Sequence, residues 1–134
     1  MLEAINIWAV IIAAASAFIL GGIWYSPLLF GNIWKHEAGI KMSQHKAGHG
    51  ALVYVLSVLL SLISAVAFAL LLGDKTPPFS FAVGMGFITG LCWVATSFGI
   101  NYLFAGRSVK LFLIDGGYHT LQFTLYGVVL GLWH

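Results

Sequence analysis

The sequence predicts an all-α integral membrane protein, a bundle of four transmembrane helices with a short interfacial helix between the first and second. Three observations lead there. Of 134 residues, 60% are hydrophobic and only 7% charged, whereas soluble domains carry about 25% charge, so too little polar surface exists to keep the chain dissolved. Four apolar runs, each long enough to cross a hydrocarbon core of about 30 Å, fill nearly the whole length as a single transmembrane domain over 1–134. The last run carries polar side chains through its middle, which hydrocarbon tolerates poorly and neighbouring helices must shield.

The first helix covers about 4–25. Ala13, Ala17 and Gly21 recur every four residues as a small-residue packing edge, and Trp8 and the Trp24, Tyr25 pair stand near its ends, where aromatic side chains settle at a membrane boundary. Glu3 at the start, and an apolar run that continues to Tyr25, argue for a retained helix rather than a cleaved signal peptide. Ser26 and Pro27 read as the cap and first residue of a helix over about 27–38, stopped by Gly39. It is too short to span and amphipathic, which suits the interface.

Ser43 is a second plausible cap, ahead of a spanning helix over about 51–73 whose small edge is Ser57, Ser61, Ala65 and Ala69. Asp74-Lys75-Thr76-Pro77-Pro78 then forms a turn that no helix continues through. The third span, about 79–104, holds Gly86 and Gly90 as a GxxxG pair, with Thr89, Cys92 and Thr96 on one face. The short break Gly106-Arg107-Ser108-Val109-Lys110 makes the third and fourth helices antiparallel neighbours, so that hydroxyl face becomes the expected cover for the polar strip.

The fourth helix, about 111–133, has two edges. At about 100° per residue, Asp115, His119, Gln122 and Tyr126 fall within a strip about 60° wide, and Gly117, Thr120, Thr124, Gly127 and Gly131 fall opposite. The polar edge should face protein or water, and the smooth edge should pack on a helix.

Lys35, Lys41, Lys46, Arg107 and Lys110 lie in the loops after the first and third helices, and Lys75 alone lies on the other side. The excess places those loops in the cytoplasm and both termini outside. A weak internal echo links Gly22-Ile23-Trp24-Tyr25, followed by Leu29-Phe30-Gly31, with Gly99-Ile100-Asn101-Tyr102, followed by Leu103-Phe104-Ala105-Gly106, as in a parallel repeat of two hairpins.

Trp24-Tyr25-Ser26-Pro27-Leu28-Leu29-Phe30-Gly31 with Trp34, then Asn101-Tyr102-Leu103-Phe104-Ala105-Gly106-Arg107, then Leu111-Phe112-Leu113-Ile114 ahead of Gly117-Tyr118-His119, together resemble a family of small bacterial membrane proteins, domain-of-unknown-function family 1761. The resemblance covers essentially the whole chain, with the Tyr-Ser-Pro element as its most specific part. It implies four membrane helices, a multi-pass place in the bacterial inner membrane, and no established activity. One departure is that asparagine is frequent in the family where Asp115 stands.

Two readings of the polar strip stand side by side. In one, Asp115 and His119 pair across one helical turn and, with Gln122, Tyr126, Thr96 and Asn101, form part of a proton or cation route. In the other, Asp115 is satisfied by Arg107, Asn101 or a helix N-terminus, and His119 makes a single interhelical hydrogen bond. His36, His45 and His49 are weak candidates for a metal site, the latter two at i, i+4 spacing. Cys92 is the single cysteine, so no intrachain disulfide can form.

No nucleophile–base set or phosphate loop stands out, so no catalysis and no cofactor are expected. A net charge of +2 spread over membrane-flanking loops gives no basis for nucleic-acid binding. The expected partners are the lipid bilayer and a second copy or another membrane protein. The expected role is a structural or accessory subunit, with a small proton or cation transporter or channel as the alternative.

Overall fold

The computed structural model describes residues 2–40, 50–73 and 76–134. Among these the chain is all-helical. After a short 3-10 turn at Leu2–Ala4, α1 runs Ile7–Trp24 and α2 Gly31–Ala38. Helix α3 runs Ala51–Leu72, α4 is a continuous helix over Phe79–Ala105, and α5 runs Val109–Leu132. Helices α1, α3 and α4 are long and apolar enough to cross a membrane. Helix α5 matches them in length, with 24 residues, but carries the polar strip.

Local chemistry sets most of the helix ends. The Asn6 side chain accepts hydrogen bonds from the Trp8 and Ala9 amides, so α1 begins at Ile7 rather than near Ala4. Ser108 caps α5 in the same way, accepting from the Leu111 amide at 3.1 Å. Helices α2 and α4 stop at Gly39 and Gly106, whose φ of 74° and 67° lie in the left-handed region that favours glycine.

The expected cap at Ser26 is not made. Its hydroxyl donates back to the Ile23 carbonyl at 2.6 Å, and its own carbonyl accepts from Leu29 and Gly31. Residues 27–30 therefore form a tight turn, and α2 begins at Gly31 instead of Pro27. Glycine is required there, because a Cβ at position 31 would overlap the Tyr25 carbonyl and the Ser26 backbone. The expected cap at Ser43, with Lys41, His45, Lys46, His49, Asp74 and Lys75, lies outside the described residues.

Helix α5 is the centre of the packing and touches every other α-helix. Its smooth edge meets α4 so closely that Cβ atoms on Gly86 and Gly127 would collide with the backbone of Phe123 and Ala82 respectively, and one on Gly90 would come within 2.6 Å of the Thr120 Cα. Gly131 closes the same seam against Ala82 and Phe79. Gly117, expected on this edge, instead lies against the Trp24 ring of α1, while Gly116 meets Ala95 of α4.

A wide π-helical turn over Thr89–Ala95 interrupts α4. Its inward positions step by four through Ala82, Gly86 and Gly90, by five to Ala95, and by four again to Gly99, which meets Phe112. A turn closed i to i+5 advances less per residue than an α-turn, so the register slips after Thr89. Cys92 and Thr96 are consequently exposed, so of the three residues expected to cover the polar strip only Thr89 is buried.

On the other side, Ala9, Val10, Ala13, Ala14 and Ala17 of α1 pack with Ser61, Ala65, Phe68, Ala69 and Leu72 of α3, and with Tyr126 and Leu130 of α5. This is the sealed half of the bundle. The first half of α3, from Ala51 to Leu60, leans away and is exposed throughout, and α3 and α4 hardly touch.

Candidate functional site

A carboxylate in a mainly apolar interior must have its oxygens occupied by donors, because an unpaired charge there is costly. Asp115 is 7% exposed, and both its oxygens are taken by tyrosines. Tyr25, just past the end of α1, donates to one at 2.6 Å. Tyr102, in the last turn of α4, donates to the other. Burial, and then the bond to Asp115, push the Tyr25 hydroxyl above its ordinary range and keep it protonated.

Beside this clamp, the Trp24 indole donates to the Ile114 carbonyl at 2.9 Å, and the Tyr118 hydroxyl donates to the Ala17 carbonyl at 3.1 Å. Three helices are thus joined around one residue of α5. Arg107 does not pair with Asp115, but reaches the Ala38 carbonyl at 3.4 Å.

The rest of the strip forms a second, separate network. His119 Nδ1 lies 2.6 Å from the Gln122 amide oxygen. That oxygen can only accept, so the imidazole nitrogen facing it carries the hydrogen. Gln122 in turn donates to the Tyr126 hydroxyl at 2.7 Å, which lies 2.9 Å from Ser61 Oγ and donates to the Ser61 carbonyl. The direct pairing of Asp115 with His119 that their spacing allows is therefore not made. Phe98 of α4 covers the imidazole instead, stacked at 4.9 Å.

Of the other expected members, Thr96 bonds back to the Cys92 and Trp93 carbonyls and is exposed, as is Asn101. Thr89 is buried with no hydrogen-bond partner for its hydroxyl among the described residues. His36 is exposed on α2, away from the strip. Among the small-edge residues, Ser61 is buried between helices, Ser57 is exposed, and Gly21 lies against the Tyr118 ring.

The splay of α3 opens a cleft of about 750 Å³ bounded by α1, α3 and α5, with Trp34 and Lys35 of α2 at one end and Val94 at the α4 side. His119, Gln122, Tyr118 and Ser61 contribute to its lining, so the second network has one flank on the cleft. The first does so only through Tyr25, since Asp115 is not part of the wall.

Tyr25, Tyr102 and Trp24 are not among the expected site residues because aromatic residues near helix ends read first as a membrane-boundary belt, and Tyr118, in the middle of α5, falls outside the polar strip. A signal was present: Tyr25 and Tyr102 occupy matching places in the echo Gly-Ile-Trp-Tyr and Gly-Ile-Asn-Tyr, and these two hydroxyls converge on one carboxylate.

No curated protein and no solved structure matches the chain. Residues 8–131 match a family model, and the chain belongs to the family described as "Protein of unknown function (DUF1761)".

Proposed function

We propose that this protein is a four-span membrane protein, with α2 at the interface, that serves as a non-catalytic structural or accessory subunit. One observation carries the reading: the Asp115 carboxylate and the chain from His119 Nδ1 through Gln122 to Tyr126 are held by bonds within the protein. Asp115 is held by Tyr25 and Tyr102, and the His119, Gln122, Tyr126 chain ends on the backbone of α3. Beyond Tyr126 the bundle is filled by Val10, Ala13, Phe68 and Leu130, each at most 2% exposed, and a conducted ion would have to displace them.

This packing supports an assembly or binding role over the alternative, a proton or cation transporter or channel. The small edge of α5 is already spent on α4, so association with a second copy or a partner subunit would use other exposed apolar surface. By the basic-residue excess, the end holding α2 and Arg107 faces the cytoplasm.

The deciding experiment is flux in proteoliposomes loaded with a pH-sensitive dye, comparing the wild type with His119→Leu and Asp115→Asn. The accessory reading expects no proton or cation flux above empty liposomes in any of them. A wild-type flux lost in His119→Leu would refute it.

A further inference from the structure

We infer that the cleft between α1, α3 and α5 binds one anionic phospholipid from the leaflet on the α2 side. Its depth is the first ground. Val53 and Ser64 both line it, and eleven residues of helix separate them, about 16 Å. That is roughly half of a ~30 Å hydrocarbon core, the depth of one leaflet.

Access is the second. Because α3 and α4 hardly touch, the cleft opens sideways, so an acyl chain could enter from the bilayer without leaving it. Its length is walled mainly by apolar groups such as Phe18, Leu60, Val94 and Phe123, while the polar side chains His119, Gln122 and Ser61 in the wall are bonded within the network described above.

Charge is the third. Lys35 stands at the end of the cleft where α1 finishes and α3 begins, and among the described residues no aspartate or glutamate lines the wall. Among the described residues Lys35 makes no ion pair, which leaves its ammonium for a phosphate at headgroup level. The Trp34 ring, 5.3 Å from that of Tyr25, anchors α2 at this height. Free phosphate would satisfy Lys35 alone and leave the apolar walls unused, so the lipid is the ligand that fits the whole cleft.

The inference rests on the membrane placement proposed above, and the test separates the two. The full chain in mild detergent is titrated with phosphatidylglycerol or with phosphatidylcholine of the same chains, and bound lipid is counted by native mass spectrometry. The expected result is one retained phosphatidylglycerol, preferred over phosphatidylcholine and not displaced by millimolar inorganic phosphate.

Lys35→Gln should cut phosphatidylglycerol retention about fivefold, the worth of one lysine near an anionic surface, and leave phosphatidylcholine unchanged. Gly22→Leu should remove the retained lipid, because a Cβ at Gly22 meets nothing within 4 Å and the larger side chain would grow into the cleft without disturbing the fold. Equal retention of the two lipids, or several lipids unaffected by Gly22→Leu, would overturn the inference. So would a dimer that Gly22→Leu dissociates while lipid retention is unchanged, since a second copy would then be the occupant. Extraction of the protein from membranes by alkaline carbonate would overturn the membrane placement and the inference with it, whereas carbonate resistance without lipid preference overturns the inference alone.

Discussion

Removing the two hydroxyls from the Asp115 clamp tests how the bundle is held at the α2 end. A hydrogen bond to a charged group contributes about 1.5–3 kcal/mol. Tyr25→Phe and Tyr102→Phe each delete one while keeping the ring, so Phe98 retains an aromatic neighbour at position 102 and Trp34 one at position 25. Each single variant should lose about 1.5–3 kcal/mol. The double variant should lose about 3–6 kcal/mol, because it strands a carboxylate that is only 7% exposed.

Asp115→Leu in the double-Phe background should then recover part of the loss, since an apolar group among apolar neighbours leaves nothing unpaired. Reversible unfolding by sodium dodecyl sulfate in mixed micelles, followed by tryptophan fluorescence and circular dichroism, gives these differences. A double variant less than about 1 kcal/mol below wild type would refute the clamp as a source of stability.

Three further outcomes follow from the same geometry. Gly86→Ala should destabilise by about 1–3 kcal/mol in that unfolding assay, because its Cβ would overlap the Phe123 backbone, whereas Gly22→Ala, with open space around its Cβ, should not. Tyr126→Phe should cost about 1 kcal/mol, the usual worth of a hydrogen bond between membrane helices, since it unties α5 from Ser61. Because folding raises the Tyr25 pKa, the unfolded chain releases this proton first as pH climbs past about 10, the ordinary tyrosine value. The contribution of Tyr25 to stability should therefore be level below that pH and fall above it, so the loss of stability above about pH 10 should be shallower in Tyr25→Phe.

The helices and their contact edges were legible in the sequence because they depend on spacing within one segment. Gly86, Gly90, Gly127 and Gly131 form a seam since residues four apart share a face and absent side chains let backbones meet. Asp115, Gln122 and Tyr126 turn inward for the same periodic reason, and each is at most 7% exposed. The helix start at Pro27 was misread because serine followed by proline signals a cap and a tight turn equally well. The carbonyl of Ser26 decided between them by accepting bonds from Leu29 and Gly31.

What only the tertiary structure decided is who meets whom. Asp115 and Tyr25 are 90 residues apart in sequence, and no local pattern assigns a carboxylate to a particular distant hydroxyl. The slip in α4 that exposes Thr96 and turns Ala95 inward comes from one wide turn, to which a helical wheel is blind. The cleft arises because α3 packs along only half its length, a balance of contacts among α1, α3 and α5 that no single segment encodes.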